Sequence, residues 1–145
     1  DGRIGYIDVL PTLLAAAGCA APAELDGINV LPILRGESQL PERPWFSYIH
    51  QGTEAHGSVH LGHWKLVARG DFFAEQPDTP PVLELYDLTA DPSESSDLAK
   101  KHPEQVAQLH GKLREFGTWQ KPGVAAYDEG RAGFKAPRDW QVLLP

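Results

Sequence analysis

A chain of 145 residues with 41% hydrophobic side chains can build one domain with a real core and is too short for two comfortable ones. Lys and Arg number 13 against 20 Asp and Glu, a formal charge of -7, and no basic run is dense enough to hold a phosphate backbone, so nucleic acid is excluded as an expected partner. The single cysteine, Cys19, excludes an intrachain disulfide and with it the Cys-rich scaffold of a small secreted domain.

The 14 Gly and 13 Pro predict abundant turns and few long helices. The longest apolar stretch, 9–17, is interrupted by Pro11 and Thr12 and falls short of the ~20 residues of a membrane span, so a soluble domain is expected. Asp1 stands where Met would. The first ten residues lack the basic flank and apolar stretch of a signal peptide, and the chain reads as an excised piece of a longer protein, with no compartment assigned.

In chain order, Asp8 is placed to cap a short buried helix whose apolar positions Leu10, Leu13, Leu14 and Ala17 recur at three and four residues. Pro11 is tolerated in its first turn and Gly18 ends it. Residues 22–36 read as a connector with an apolar plug, Val30, Leu31, Ile33 and Leu34, forming one helical turn. Aromatic and β-branched composition predicts a strand over 45–50. Two extended runs, 57–61 and 62–69, pair as a hairpin across Leu61-Gly62-His63. A surface loop over 70–81 and a fourth strand over 82–88 follow.

Pro103 opens the one long amphipathic helix, with Val106, Leu109, Leu113 and Phe116 on a single side, so that it packs across a face of the sheet. The tail over 121–145, with Tyr127, Phe134, Trp140 and Leu143 costly to leave in water, is expected to wrap against a surface. The fold class is α+β: a small four-stranded antiparallel sheet with one long C-terminal helix, preceded by a short helix.

Three segments in this order resemble the sulfatase family of the arylsulfatase type, as its C-terminal portion. The first is Ile7-Asp8-Val9-Leu10-Pro11-Thr12-Leu13-Leu14 through Gly18, with Leu25-Asp26-Gly27 and Leu31-Pro32-Ile33-Leu34-Arg35-Gly36. The second, Gly62-His63-Trp64-Lys65-Leu66-Val67, is similar to the Gly-x-Trp-Lys-Leu hairpin of the family's smaller domain. The third, Glu84-Leu85-Tyr86-Asp87-Leu88 with Asp91-Pro92, Glu94, Asp97-Leu98-Ala99 and the helix from Pro103, resembles its strand-turn-helix closing unit. Phe134, Pro137 and Trp140 point to the branch resembling N-acetylgalactosamine-4-sulfatase. The resemblance implies a division into 1–40, the end of a large alkaline-phosphatase-like domain and connector, 41–120, the C-terminal subdomain, and 121–145, the wrapping tail.

Sulfatases attack sulfur with the hydrated aldehyde of a formylglycine, made from cysteine in a Cys-x-Pro-x-Arg setting, while a divalent cation and Lys or His donors hold the sulfate oxygens. Cys19 is followed by Ala20-Ala21-Pro22-Ala23, with the proline one position late and no arginine, and reads as a small buried hydrophobe. The family's Asp-Asp and Asp-Asn-Gly metal neighbourhoods do not occur here. No catalytic residue, metal ligand or cofactor is therefore expected in this chain; calcium or another divalent cation and formylglycine are expected in the large domain. Asp87, Asp91, Glu94 and Asp97 lack calcium-loop spacing and read as turn and cap residues. His50, His56, His60 and His63 crowd near the hairpin without the cysteine or helical pair of a zinc site.

In family members the small domain's loops border the cleft, so the resemblance makes His56, His60 and Lys65 candidate contacts for the anionic or sugar part of a substrate. The other reading is that His60 and Lys65 are ordinary sheet-face residues. Trp45, Trp64 and Tyr86 read as core rather than sugar platforms. The function expected is a supporting lobe that shapes substrate access in a longer sulfate ester hydrolase, inactive alone. Its partners are the large sulfatase domain in cis and a sulfated small molecule or glycan. The alternatives are a non-enzymatic glycan-binding or assembly module, or the C-terminal part of a phosphonate or phosphodiester hydrolase of the same superfamily.

Overall fold

The computed structural model describes residues 3–51 and 54–119. A 3-10 turn (Tyr6–Asp8) leads into α1 (Val9–Ala16), and α2 (Leu31–Leu34) closes the connector. Strands β1 (Trp45–Gln51), β2 (Glu54–Leu61), β3 (Trp64–Arg69) and β4 (Val82–Asp87) follow, then α3 (Pro103–Gly117). The four strands form one antiparallel meander in the order β1-β2-β3-β4. The hairpin falls where the sequence places it, with Leu61 opposite Trp64 and Gly62-His63 between them. Gly62 sits at φ 59, the left-handed region that the first position of a II′ turn demands.

Alternation along each strand gives the sheet two faces. Phe46, Val59, Leu66 and Leu85 lie in one register row and face α3, whose Leu109 and Leu113 are fully buried against them. A leucine taken wholly out of water contributes about 1.5–3 kcal/mol, so these two residues anchor the helix. Val106 and Phe116 extend the contact, and Phe116 stacks on Phe46 with ring centroids 4.6 Å apart.

The loop over 70–81 is not wholly at the surface: Phe72 turns inward and is completely buried. Its ring occupies the space above Gly57, where a Cβ would lie 2.6 Å from it. His110 on α3 fixes the loop by donating from Nε2 to the Phe72 carbonyl at 2.8 Å. At the other flank, the outer edge of β4 is occupied: Leu85 donates its N–H to Asp97 Oδ1 (3.0 Å) and accepts the N–H of Leu98 (2.8 Å).

The expectations for the N-terminal segment need correction in three places. α1 is not buried: Val9, Leu10 and Leu13 are more than half exposed, because no described element lies over that side. Asp8 does not cap α1 with its side chain; its carboxylate accepts the Gly5 N–H (3.0 Å) and the Ile28 N–H (2.9 Å) instead. Cys19 is exposed, being carried past the end of α1 into the connector. The connector plug exists in reduced form, with Val30 buried but Leu34 65% exposed. The tail over 121–145, including Phe134, Pro137 and Trp140, lies outside the described residues.

Candidate functional site

The sheet face turned away from α3 carries all three residues singled out in the sequence. One register row runs Trp45, His60, Lys65, Tyr86, and a second runs Ile49, His56, Arg69, Val82. His60 and Lys65 are therefore direct cross-strand partners, and His56 follows two rows away on the same face. Trp64 points to the α3 side and joins the core as expected. Trp45 and Tyr86 are on the opposite face, so they do not share that core. Burial, with Glu84 beside it, pushes the Tyr86 phenol up.

His60 is 8% exposed. Its Nε2 lies 2.8 Å from Arg3 Nη1 and 2.8 Å from the Gly62 carbonyl. A guanidinium only donates and a carbonyl only accepts, so Nε2 satisfies one of them at a time: Arg3 when bare, Gly62 when protonated. Burial, followed by the charge of Arg3, lowers the His60 pKa and favours the neutral ring. Lys65 is engaged as well, its Nζ 2.6 Å from Glu94 Oε1. Glu94 adopts φ 54 in a turn organised by Asp91, whose carboxylate accepts the N–H groups of Ser95 and Ser96 and the Ser95 hydroxyl. Asp87 and Asp97 likewise accept backbone N–H groups, so the turn reading holds for Asp87, Asp91 and Asp97, while the Glu94 side chain is drawn to Lys65 instead.

Sequence reasoning missed the residues that fasten the N-terminal segment beside this row. Asp8 is completely buried and takes both Nη groups of Arg43, Nη1 at 2.8 Å. The Arg43 hydrogen bond outweighs the opposing effect of burial and, with the Gly5 and Ile28 N–H groups, holds the Asp8 carboxyl at about 2. Arg43 also lies over the Trp45 ring, 5.2 Å from its centroid, and Nη2 reaches the Arg3 carbonyl. Gly5 presses against Trp45 so closely that a Cβ would lie 2.2 Å from the ring. Together these contacts border a pocket of about 270 Å³ formed by Arg3, Glu42, Arg43, Trp45, His60 and Gly62 with Leu40 and Pro41. A lone aspartate before a helix reads as a cap; only the distant arginine reveals its other use.

Among the described residues, no group of three His, Cys, Asp or Glu side chains is poised around a metal. His63 and His102 each pack near Trp64, with ring centroids 4.8 and 5.1 Å from it, and His110 serves the Phe72 loop. Cys19, exposed and followed by Ala20-Ala21-Pro22-Ala23, does not fit the setting from which a formylglycine is made, and no reaction step runs through it.

A family model described as N-sulphoglucosamine sulphohydrolase, C-terminal, matches residues 2–118. Arylsulfatase K of Mus musculus is 29% identical over 140 residues, covering 90% of this chain and 24% of that protein. The delta 4,5-hexuronate-2-O-sulfatase of Bacteroides thetaiotaomicron is 34% identical over 122 residues, covering 79% of this chain and 24% of that protein. Among solved structures, Ps i-CgsB superposes with a TM-score of 0.62 at 21% identity over 80% of this chain and 25% of its own. A protein solved with its substrate D-glucosamine-2-N,6-O-disulfate superposes with a TM-score of 0.56, also at 21% identity, over 77% and 23%. These structural likenesses establish the shared fold. The chain spans about a quarter of the length of the curated relatives it matches.

Proposed function

The chain belongs to the N-sulphoglucosamine sulphohydrolase C-terminal family, a sulfatase C-terminal domain, and from that membership we propose that it is the supporting lobe of a longer sulfate ester hydrolase acting on sulfated sugars. The sugar class follows the names of its relatives, a hexuronate sulfatase among them. Calcium or another divalent cation and formylglycine belong, on this reading, to the large domain in cis: no described group of acids and histidines fits the cation, and Cys19 does not stand in the formylglycine setting.

The observation that carries the reading is the family match over 2–118 combined with an apolar strip left in water: Ile4, Tyr6, Val9, Leu10 and Leu13 are all between 45% and 87% exposed. Such a strip on a soluble surface marks an interface. Residues 1–40 would close the large domain, 41–120 would form the lobe, and the face bearing His56, His60 and Lys65 would border the substrate. Lys65, already paired with Glu94, would act there through that pair rather than as a bare cation.

Two measurements test this. The 145-residue chain alone is expected to hydrolyse no aryl sulfate, even with calcium supplied, whereas the longer protein containing it hydrolyses sulfate esters in preference to phosphate esters. Turnover by the isolated chain, or phosphate preference in the longer protein, would overturn it.

A further inference from the structure

We propose that the pocket where Arg3 meets His60 is a subsite for one acidic sugar residue, with the Arg3 guanidinium holding its carboxylate or sulfate group. This rests on the sulfated-sugar reading above and adds to it a site on the lobe itself. The pocket's volume of about 270 Å³ lies just under the ~300 Å³ at which sites for drug-sized ligands begin, a size suited to a single ring.

Its two cations differ in what they have left to give. Both Nη groups of Arg43 are committed to the buried Asp8 carboxylate. Arg3 donates one side-chain hydrogen bond, to His60 Nε2, and pairs with no carboxylate among the described residues. A guanidinium carries five N–H donors in a planar fork that matches a carboxylate or sulfate edge, so most of its capacity remains open. His60 acts as a positioning residue: in the tautomer whose Nε2 is bare it accepts one Arg3 N–H and fixes the direction of the fork.

Glu42 supplies the complement, its Oε2 lying 3.0 Å from where a Cβ on Gly62 would stand. A carboxylate on the pocket wall accepts sugar hydroxyls and repels a bare anion, while the Trp45 ring provides apolar wall. Arg3 for the acidic group, Glu42 for hydroxyls and Trp45 for the ring select a sugar acid over free sulfate.

The test is titration of the 145-residue chain, followed by the Trp45 indole and Gly62 amide NMR signals. Four ligands are compared: a sulfated hexuronate disaccharide, its carboxyl-reduced form, its desulfated form and sodium sulfate. The disaccharide is expected to shift both signals and sodium sulfate neither. Arg3→Ala should weaken the disaccharide about 10- to 100-fold, the span of one charge-assisted hydrogen bond, with Arg3→Lys intermediate. Loss on carboxyl reduction assigns the carboxylate to Arg3; loss on desulfation assigns the sulfate. No binding by the wild type, an equal response to sodium sulfate, or undiminished binding by Arg3→Ala overturns the subsite. Failure of the longer protein to hydrolyse sulfate esters would refute the activity while leaving this binding result standing.

Discussion

Replacing Asp8 by asparagine keeps its shape, removes its charge and leaves Arg43 without a counter-ion in a closed site. Asp8 is completely buried, while the Arg43 side chain is 17% exposed. Breaking one partner of a buried pair costs about 3–5 kcal/mol, and the residual exposure of Arg43 favours the lower end. The carboxyl itself gives an independent measure. Held at about 2 instead of 3.8, it contributes about 2.5 kcal/mol at 1.36 kcal/mol per pH unit.

Because the folded-state value is depressed, that stabilisation is present above pH 3.8 and is lost as pH falls through 2. The assay is amide hydrogen exchange, read at Gly5 and Ile28, whose N–H groups Asp8 accepts. Asp8→Asn is expected to speed exchange there by about two orders of magnitude at pH 6. In equilibrium unfolding, the difference between wild type and variant should be full above pH 4 and close towards pH 2. A difference under about 1 kcal/mol at pH 6, or one that does not shrink in acid, would refute the argument that this ion pair fastens the segment.

Gly57→Ala should destabilise the fold by about 1–3 kcal/mol in urea denaturation, because the new methyl displaces the buried Phe72 ring. Leu113→Ala, which hollows the contact between α3 and the sheet, should cost about 2–5 kcal/mol in the same measurement. Lys65→Met should change stability by under about 1 kcal/mol, since the pair with Glu94 is partly solvated on both sides. Cys19 should react fully with a thiol reagent in the native state without denaturant, as its exposure requires.

The sheet and α3 were legible because their signals are local. Strand-like composition between turn residues marks β1 to β4, Gly62 marks the hairpin turn, and Pro103 with Val106, Leu109, Leu113 and Phe116 marks the helix, so each element declares itself within ~15 residues. Phe72 was not legible, since its neighbours Asp71, Pro77 and Asp78 read as loop and its place in the core depends on the missing side chain of Gly57. The three candidate site residues fell on one face because the register follows from the hairpin. Arg3 and Arg43 carried no signal at all: their partners are 57 and 35 residues away, and nothing in a lone arginine tells which carboxylate or imidazole it will meet. The burial of α1 was overstated because apolar spacing shows that a side seeks cover, without telling whether these residues supply it.

The backbone bonds from Leu85 to Asp97 and Leu98 bear on association as well as on stability. An open strand margin is a template on which a second chain can build cross-β ladders. Here the turn before α3 folds back along β4 and takes up those groups, so intermolecular strand addition on that flank must first peel the turn away. The β1 flank, where Ser47, Tyr48 and Ile49 are exposed, has no such guard among the described residues, so the protection is particular to the β4 side.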